Sequence, residues 1–377
     1  MIPFALEIPT KIHFGRNTFK EALKIEKAYL GKKALIITTG NTLERLGYMD
    51  EIVRTLEKMS IETIIFSHVS PNPELEDIIE AIKTGREYRA SSVMGVGGGS
   101  AMDAAKAVAC GMACEKPIQE YYYKDIAPEA AIPMIAIPTT AGTGSELSKG
   151  AILSDKKTRQ KKGLRGFHVY PKATIVDSHF TDQIPRKTTL ETGFDVFAHA
   201  AESFVSYKSS RFSEMLSLEA IKLVGANLSK LTKGIGAAEA RDSMSYASML
   251  MGINLGNIGT ALPHRMQYPI GAATGTSHSA GLLALYPAWI KYEYKYSSEK
   301  LDRVASALTG KDCCGEEQSV GEIMKFIEKL NVRKSLKELG LISVKGLAAQ
   351  ISGDMKNDPA FAEDNVVDKI YENAFKA

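Results

Sequence analysis

Cysteine is scarce in this chain: four residues in 377, at positions 110, 114, 313 and 314. Neither spacing matches a zinc-finger pair, and so few thiols exclude a disulfide scaffold and suit a reduced, cytoplasmic protein. A long apolar run is also missing, since no window approaches the roughly 18 to 20 consecutive apolar residues that a membrane helix needs. The first residues lack the charged start and extended apolar core of a secretory signal. An excess of one charge is absent too. Forty-seven basic residues face 44 acidic ones, a formal balance of +3, and without a dense basic stripe this argues against a nucleic-acid surface. The one basic cluster, Lys156 to Arg165, reads as a solvated loop. Internal repeats and low-complexity tracts are lacking as well.

What remains is ordinary globular composition, 44% hydrophobic and 24% charged, in a chain long enough for two domains with their own cores. Short apolar runs predict strands at Lys33–Thr38, Glu62–Phe66, Ser92–Val96, Met134–Ile137 and Ala173–Asp177, with the segment before residue 33 pairing as edge strands. Periodic segments predict helices at Leu43–Met59, Glu74–Tyr88 and Ala101–Ala113 between them. Strands that alternate with helices imply an α/β domain built on a parallel sheet covered on both faces. Past Ile184-Pro185 strand signals disappear and nearly every segment has helical length. The expected organisation is therefore an α/β domain over 1–184 and an all-α domain over 185–377.

Two loops follow strands. Gly97, Gly98, Gly99 and Ser100 open a helix, where bare backbone N–H groups and the positive end of the helix dipole can receive a phosphate. The full dinucleotide fingerprint is not present, and a tight structural turn is the alternative. Thr139 to Ser145 offers hydroxyls and small residues after the next strand. Two such loops at strand carboxyl ends of one open sheet favour a nucleotide pyrophosphate.

In the helical half, Asp195 and His199 stand four residues apart in an Ala-rich, Pro-free stretch from Glu191 to Ser206, so both point from one helix face. Taken by itself, this stretch is better explained by a capped or hydrogen-bonded Asp and a satisfied core His. His264 and His278 are 14 residues apart with Pro and Gly between them, so each would approach a site from a helix end or a loop. One carboxylate with three imidazoles suits Fe(II), Zn(II) or another borderline cation acting as a Lewis acid on a substrate oxygen. His13, His68, His168 and His179 have no partner at telling spacing.

Taken in order, Gly97 to Lys106, Pro138 to Glu146 and Gly193 to Glu202, followed by His264 and His278, resemble the iron-containing (group III) alcohol dehydrogenases of the dehydroquinate synthase-like superfamily. The resemblance covers about Pro9 to Pro287, and the last 90 residues add nothing to it. It implies a Rossmann-like dinucleotide-binding domain, a helical metal domain, and an active site in the cleft between them. Asp195, His199, His264 and His278 take the metal and catalytic places. Thr39, Asn72, Gly97, Gly98, Gly99, Ser100, Asp103, Thr139, Thr140, Thr143 and Lys162 take the cofactor places, although Asp103 and Lys106 could equally form a surface ion pair. The implied enzyme is an NAD(P)-linked alcohol dehydrogenase or aldehyde reductase holding Fe(II), with Zn(II) also suited, acting on a small-molecule alcohol or aldehyde and assembled as a homodimer or larger. The alternatives are a polyol dehydrogenase or lyase of the superfamily, or a non-catalytic nucleotide-binding homologue.

Two places depart from the family pattern. Many members carry a further histidine four residues after the third ligand, where this chain has Tyr268. Members that prefer NAD carry Asp at the end of the first long strand, where this chain reads Thr38-Thr39-Gly40-Asn41, which favours NADP and leaves NAD acceptable. Arg165 and Arg265 are the candidates for holding an anionic substrate group, against a surface or ion-paired role for each.

Overall fold

The computed structural model describes residues 3–158, 160–233 and 237–376; Arg159, within the basic run, lies outside them. The chain divides into two compact units. One comprises Glu7–Thr140 and Gly144–Ile184, the other the described residues of Met1–Leu6, Ala141–Thr143 and Pro185–Ala377.

The first unit runs β1 (Lys11–Phe14), α1 (Phe19–Ile25), β2 (Lys33–Ile37), α2 (Thr42–Arg45), α3 (Tyr48–Lys58), β3 (Glu62–Phe66), α4 (Leu75–Tyr88), β4 (Ser92–Gly97), α5 (Gly99–Ala113), α6 (Ile118–Lys124), β5 (Met134–Pro138), β6 (Gly150–Asp155), β7 (Gln160–Arg165) and β8 (Ala173–Val176). Six strands form one sheet in the order β1-β8-β5-β4-β2-β3, and every pairing is parallel. Side chains alternate across it as a strand's period of two requires. Leu35, Ile37 and Val93 enter the apolar cluster on one face, and Ala34, Ile36, Met94 and Ile135 the cluster on the other. Burial on both faces is why these strands read as unbroken apolar runs rather than alternating ones. The chain passes from β2 outward to β3 and then returns to lay β4 on the other side of β2. In an open parallel sheet that reversal is where ligands collect, at the strand carboxyl ends.

Two expectations need correction. The helix expected over Leu43–Met59 is broken in two at Gly47, whose φ of 75° is left-handed and ends the first turn. The basic run 156–165 is not a solvated loop along its length, because 160–165 forms β7 and pairs antiparallel with β6 as a two-stranded ribbon. Consecutive lysines hid the strand's alternation, and pairing with β6 supplied what propensity did not.

The second unit is helical throughout its described regular elements: α7 (Arg186–Val205), α8 (Arg211–Lys233), α9 (Ala237–Asn257), α10 (Leu262–Thr274), α11 (His278–Thr309), α12 (Glu316–Leu330) and α13 (Val366–Lys376). Helix α7 is buried on almost every side from Thr189 to Val205, which is the pattern of a central core helix. That placement carries Asp195 and His199 into the interior, 0% and 4% exposed. Among the described residues no helix is long and apolar enough to cross a membrane, and all four cysteines are free thiols.

Candidate metal centre and cofactor loops

Three helices deliver the candidate metal ligands. Helix α7 supplies Asp195 and His199 from one face; His264 stands in the first turn of α10 and His278 opens α11. The α10 start is held by two carboxylates, with Glu202 Oε2 accepting from Ala261 N at 2.8 Å and Asp358 Oδ2 from Leu262 N at 2.9 Å. These satisfy backbone donors that a helix start leaves open. Ser277 caps α11 by accepting from Ala280 N, and its hydroxyl donates to Glu191 Oε2 at 3.0 Å, tying His278 back to α7.

The side chains converge. Ligand-capable atoms of Asp195, His199 and His264 lie within 4.8 Å of one another, and His278 Nε2 is 3.9 Å from Asp195 Oδ1. The His199 and His264 rings are 4.3 Å apart at their centroids, and His264 and His278 5.0 Å. Each imidazole is pinned through Nδ1: His199 to the Asp195 carbonyl at 3.0 Å, His264 to Glu202 Oε1 at 2.7 Å, and His278 to Gln267 Oε1 at 2.6 Å. A carbonyl or carboxylate only accepts, so Nδ1 carries a proton in each ring and Nε2 is left as the nitrogen that could ligate, the arrangement that orients metal-binding imidazoles. Glu202 and Gln267 are absent from the sequence-derived site, yet both sit three residues beyond a candidate ligand, on the neighbouring turn of its helix.

Charge and burial test whether a cation fits. Both Asp195 carboxylate oxygens and His264 Nε2 are buried with no hydrogen-bond partner. Buried polar atoms of this kind, those of Asp195 anionic, cost about 1–3 kcal/mol each or more when left unmet. Burial pushes the Asp195 carboxyl up, but His199, His264 and His278 outweigh it and hold the group well below the usual carboxylate range. Burial lowers His199 to about 4, so its imidazole is neutral and able to ligate. At His264 burial acts downward and is overcome by the Glu202 and Asp195 carboxylates, which raise it to about 10. A divalent cation placed among these atoms would meet the Asp195 oxygens and displace the second proton of His264. The donor set fits a first-row metal, with His278 the most open member at 25% side-chain exposure.

In the sheet unit, Thr39, Gly97 to Ser100, Thr139 and Thr140 stand at the carboxyl ends of β2, β4 and β5, whereas Asn72 follows β3, Asp103 lies within α5 and Lys162 on β7. Gly97 has φ 147°, and a Cβ there would stand 2.8 Å from the Ala101 Cβ; one on Gly98 would meet Thr140 Oγ1 at 3.2 Å. These positions keep bare backbone at the start of α5, as a phosphate requires. Thr139 N donates to Gly97 O at 2.8 Å and joins the two loops. Thr38 Oγ1, passed over in the sequence, is buried without a partner at the end of β2 and lies close to Gly97. Its neighbour Thr39 forms an isolated antiparallel bridge with His68. Ser100 Oγ donates to the Pro71 carbonyl. Thr143 falls in the short segment Ala141–Thr143 that groups with the helical unit, where Gly142 N donates to Ser248 Oγ.

Asp103 and Lys106 are not a surface pair. Lys106 is 1% exposed and its Nζ donates to Ser145 Oγ at 2.7 Å, Ser148 Oγ at 3.1 Å and the Gly150 carbonyl at 2.6 Å, with Asp103 Oδ1 at 3.4 Å. Asp103 accepts from Ser145 Oγ and from Ile152 N, so it holds the second loop and the ribbon against α5. Alternation along β7 separates its lysines. Lys161 Nζ donates to Asn72 Oδ1 at 2.8 Å, and burial lowers it to about 8. Lys162, the residue placed in the cofactor set by the sequence, reaches Tyr123 O and lies over the Tyr122 ring instead.

Glu146, in the same loop, is fully buried, and burial pushes its carboxyl up to about 7 from the ordinary 4.5. A folded value above the unfolded one means that the native state holds an extra proton between them, so stability declines as pH rises from about 4.5 to about 7. The expected decline is roughly 2–3 kcal/mol. Urea unfolding across that window should show it for the wild type, and Glu146→Gln should flatten it; equal slopes for the two proteins would refute the assignment.

Two family models match the chain: iron-containing alcohol dehydrogenase over residues 9–178, and the C-terminal part of the Fe-containing alcohol dehydrogenase family over residues 189–375. The second match reaches well beyond Pro287, where the resemblance read from the sequence ended. The chain is 32% identical over 305 residues to a sulfoacetaldehyde reductase of Bilophila wadsworthia, covering 81% of this chain and 79% of that protein. It is 29% identical over 345 residues to an NADPH-dependent butanol dehydrogenase of Clostridium saccharobutylicum, covering 89% and 86%. The crystal structure of sulfoacetaldehyde reductase from Bifidobacterium kashiwanohense in complex with NAD+ superposes with a TM-score of 0.86 at 25% identity, covering both chains completely at 100%.

Proposed function

The chain belongs to the iron-containing alcohol dehydrogenase family, and from that premise we propose that Asp195, His199, His264 and His278 hold a catalytic Fe(II) in a metal-dependent, NAD(P)-linked alcohol dehydrogenase and aldehyde reductase. The overall reaction converts an alcohol and NAD(P)+ into an aldehyde, NAD(P)H and a proton. When bound, the metal supplies a Lewis acid for the substrate oxygen and the nicotinamide carries the hydride. The observation that carries this reading is the convergence of the Asp195 carboxylate, buried without a hydrogen-bond partner, with His199 from α7 and His264 from α10.

The protein's own part is to orient and to exclude. Glu202 and Gln267 fix the tautomers of His264 and His278, while burial keeps His199 neutral. The dinucleotide-binding domain is the unit of residues 7–140 and 144–184, and the metal domain the helical unit, so the boundary expected near residue 184 stands except that the described residues of 1–6 and residues 141–143 go with the helices. In the first of these, Gly97, Gly98, Gly99 and Ser100 receive the pyrophosphate, with Thr39, Thr139 and Thr140 at the neighbouring strand ends. Asn72 enters with Lys161, its hydrogen-bond partner, in the place first given to Lys162, and Asp103 contributes through the loop it holds. The absence of a carboxylate in Thr38-Thr39-Gly40-Asn41 supports NADP over NAD, because no negative charge there would repel a 2′-phosphate. A homodimer in the cytoplasm completes the reading.

Anaerobic protein reloaded with Fe(II) should oxidise NADPH continuously when given propanal or butanal, and a chelator should abolish the reaction until Fe(II) is restored; reloading with Zn(II) compares the two metals. Stable nucleotide binding without turnover under any metal would instead identify a non-catalytic homologue. No net change in nicotinamide absorbance, with product formed, would identify a lyase.

A further inference from the structure

Arg265 follows the third candidate ligand directly and is 7% exposed. An arginine that deep is ordinarily paired with a carboxylate, because the guanidinium cannot shed its charge. Arg265 is not so paired. Its Nε is buried without a hydrogen-bond partner, and among the described residues no carboxylate lies within ion-pair distance of it. Asp354 feels its charge but accepts instead from Lys208 Nζ at 2.6 Å. The guanidinium packs against the backbone of Gly353, where a Cβ would stand 3.2 Å from Arg265 Nε. The hydrogen bond it does make is long and neutral, from Nη1 to Tyr268 Oη at 3.4 Å.

The position of this charge gives it a use. Arg265 Cζ is 5.9 Å from the centre of the Tyr268 ring, and that ring lies 6.3 Å from His278 at an interplanar angle of 36°. Tyr268 is therefore a neighbour both of the guanidinium and of the most open of the four candidate ligands. Within the proposed dehydrogenase reading, on which this inference rests, we infer that Arg265, backed by Tyr268, is a specificity-determining residue for aldehydes and alcohols whose chain ends in an oxyanion: a carboxylate, sulfonate or phosphonate. Such a group supplies the counter-charge that the fold withholds and accepts from a planar fork made for oxyanions. Arg165, the other arginine considered for this role, is exposed at the end of β7.

The test compares kcat/KM for 4-oxobutanoate, sulfoacetaldehyde and phosphonoacetaldehyde with that for propanal and butanal, in wild type, Arg265→Lys and Arg265→Leu. The wild type should favour at least one charged aldehyde over the neutral ones by about tenfold to a hundredfold, the range expected of charge-assisted hydrogen bonds. The Leu variant should bring that ratio to about one, and the Lys variant should retain part of it. A wild-type ratio near one for all three anions, or a ratio that survives in the Leu variant, overturns the inference. If the Leu variant does not fold, the Lys variant decides, and an unmoved ratio there overturns it equally. Should even the neutral aldehydes fail, the dehydrogenase reading fails by itself. Thermal protection of the wild type by ethanesulfonate, compared with Arg265→Lys, then tests the anion site: stronger protection of the wild type supports it, and equal protection overturns it.

Discussion

Asp195→Asn is expected to leave the purified protein without stoichiometric metal and to lower kcat/KM for aldehyde reduction by about a thousandfold or more. The carboxylate is the only anion among the four candidate ligands, it is 0% exposed, and its oxygens have no hydrogen-bond partner in the protein to replace a cation. An amide of the same shape offers one neutral oxygen and an N–H2 group that faces three imidazoles. The metal loses both charge and a ligand position, and the several kcal/mol of Lewis-acid stabilisation goes with it. Elemental analysis of the variant after reloading, set beside steady-state rates and a thermal melt of the metal-free protein, separates loss of metal from loss of fold. A variant that keeps a full complement of iron and turns over within tenfold of wild type would remove Asp195 from the centre.

Glu202→Ala should weaken metal binding by about 10- to 100-fold and lower folding stability by about 3–5 kcal/mol. Its two oxygens serve different ends of one device. Oε1 accepts from His264 Nδ1 at 2.7 Å and Oε2 from Ala261 N at 2.8 Å, both in full burial. Truncation leaves an imidazole N–H and the Ala261 N–H just ahead of α10 unmet together, and the start of the helix that carries His264 loses one of the two carboxylates that hold it. Glu202→Gln, which keeps one acceptor oxygen, should fall between wild type and Ala. Urea denaturation and competitive metal titration give the two quantities separately. Retention of wild-type metal affinity by the Ala variant would show that Glu202 serves the fold alone.

Sequence alone determined the class of the protein and most of its parts, because the signals involved are local. Parallel strands covered on both faces read as apolar runs, so β2, β4, β5 and β8 were legible from residues 33, 92, 134 and 173 onward. A helical period puts Asp195 and His199 on one face without any knowledge of the fold, and a strand that runs into Gly97, Gly98 and Gly99 has one obvious use for bare N–H groups. What the tertiary structure decided were relations between residues distant in the chain. His264 and His278 reach Asp195 only because α10 and α11 both begin beside α7, and Glu202 becomes the partner of His264 across 62 positions. The same dependence buries Lys106, which helical spacing alone left free to be a surface residue. It also turns Lys161 rather than Lys162 toward Asn72, since pairing with β6 sets which lysine of β7 faces inward. Arg265 is the sharpest case: whether a buried charge has a counter-ion depends on every segment that packs around it, and no pattern along the chain records that sum.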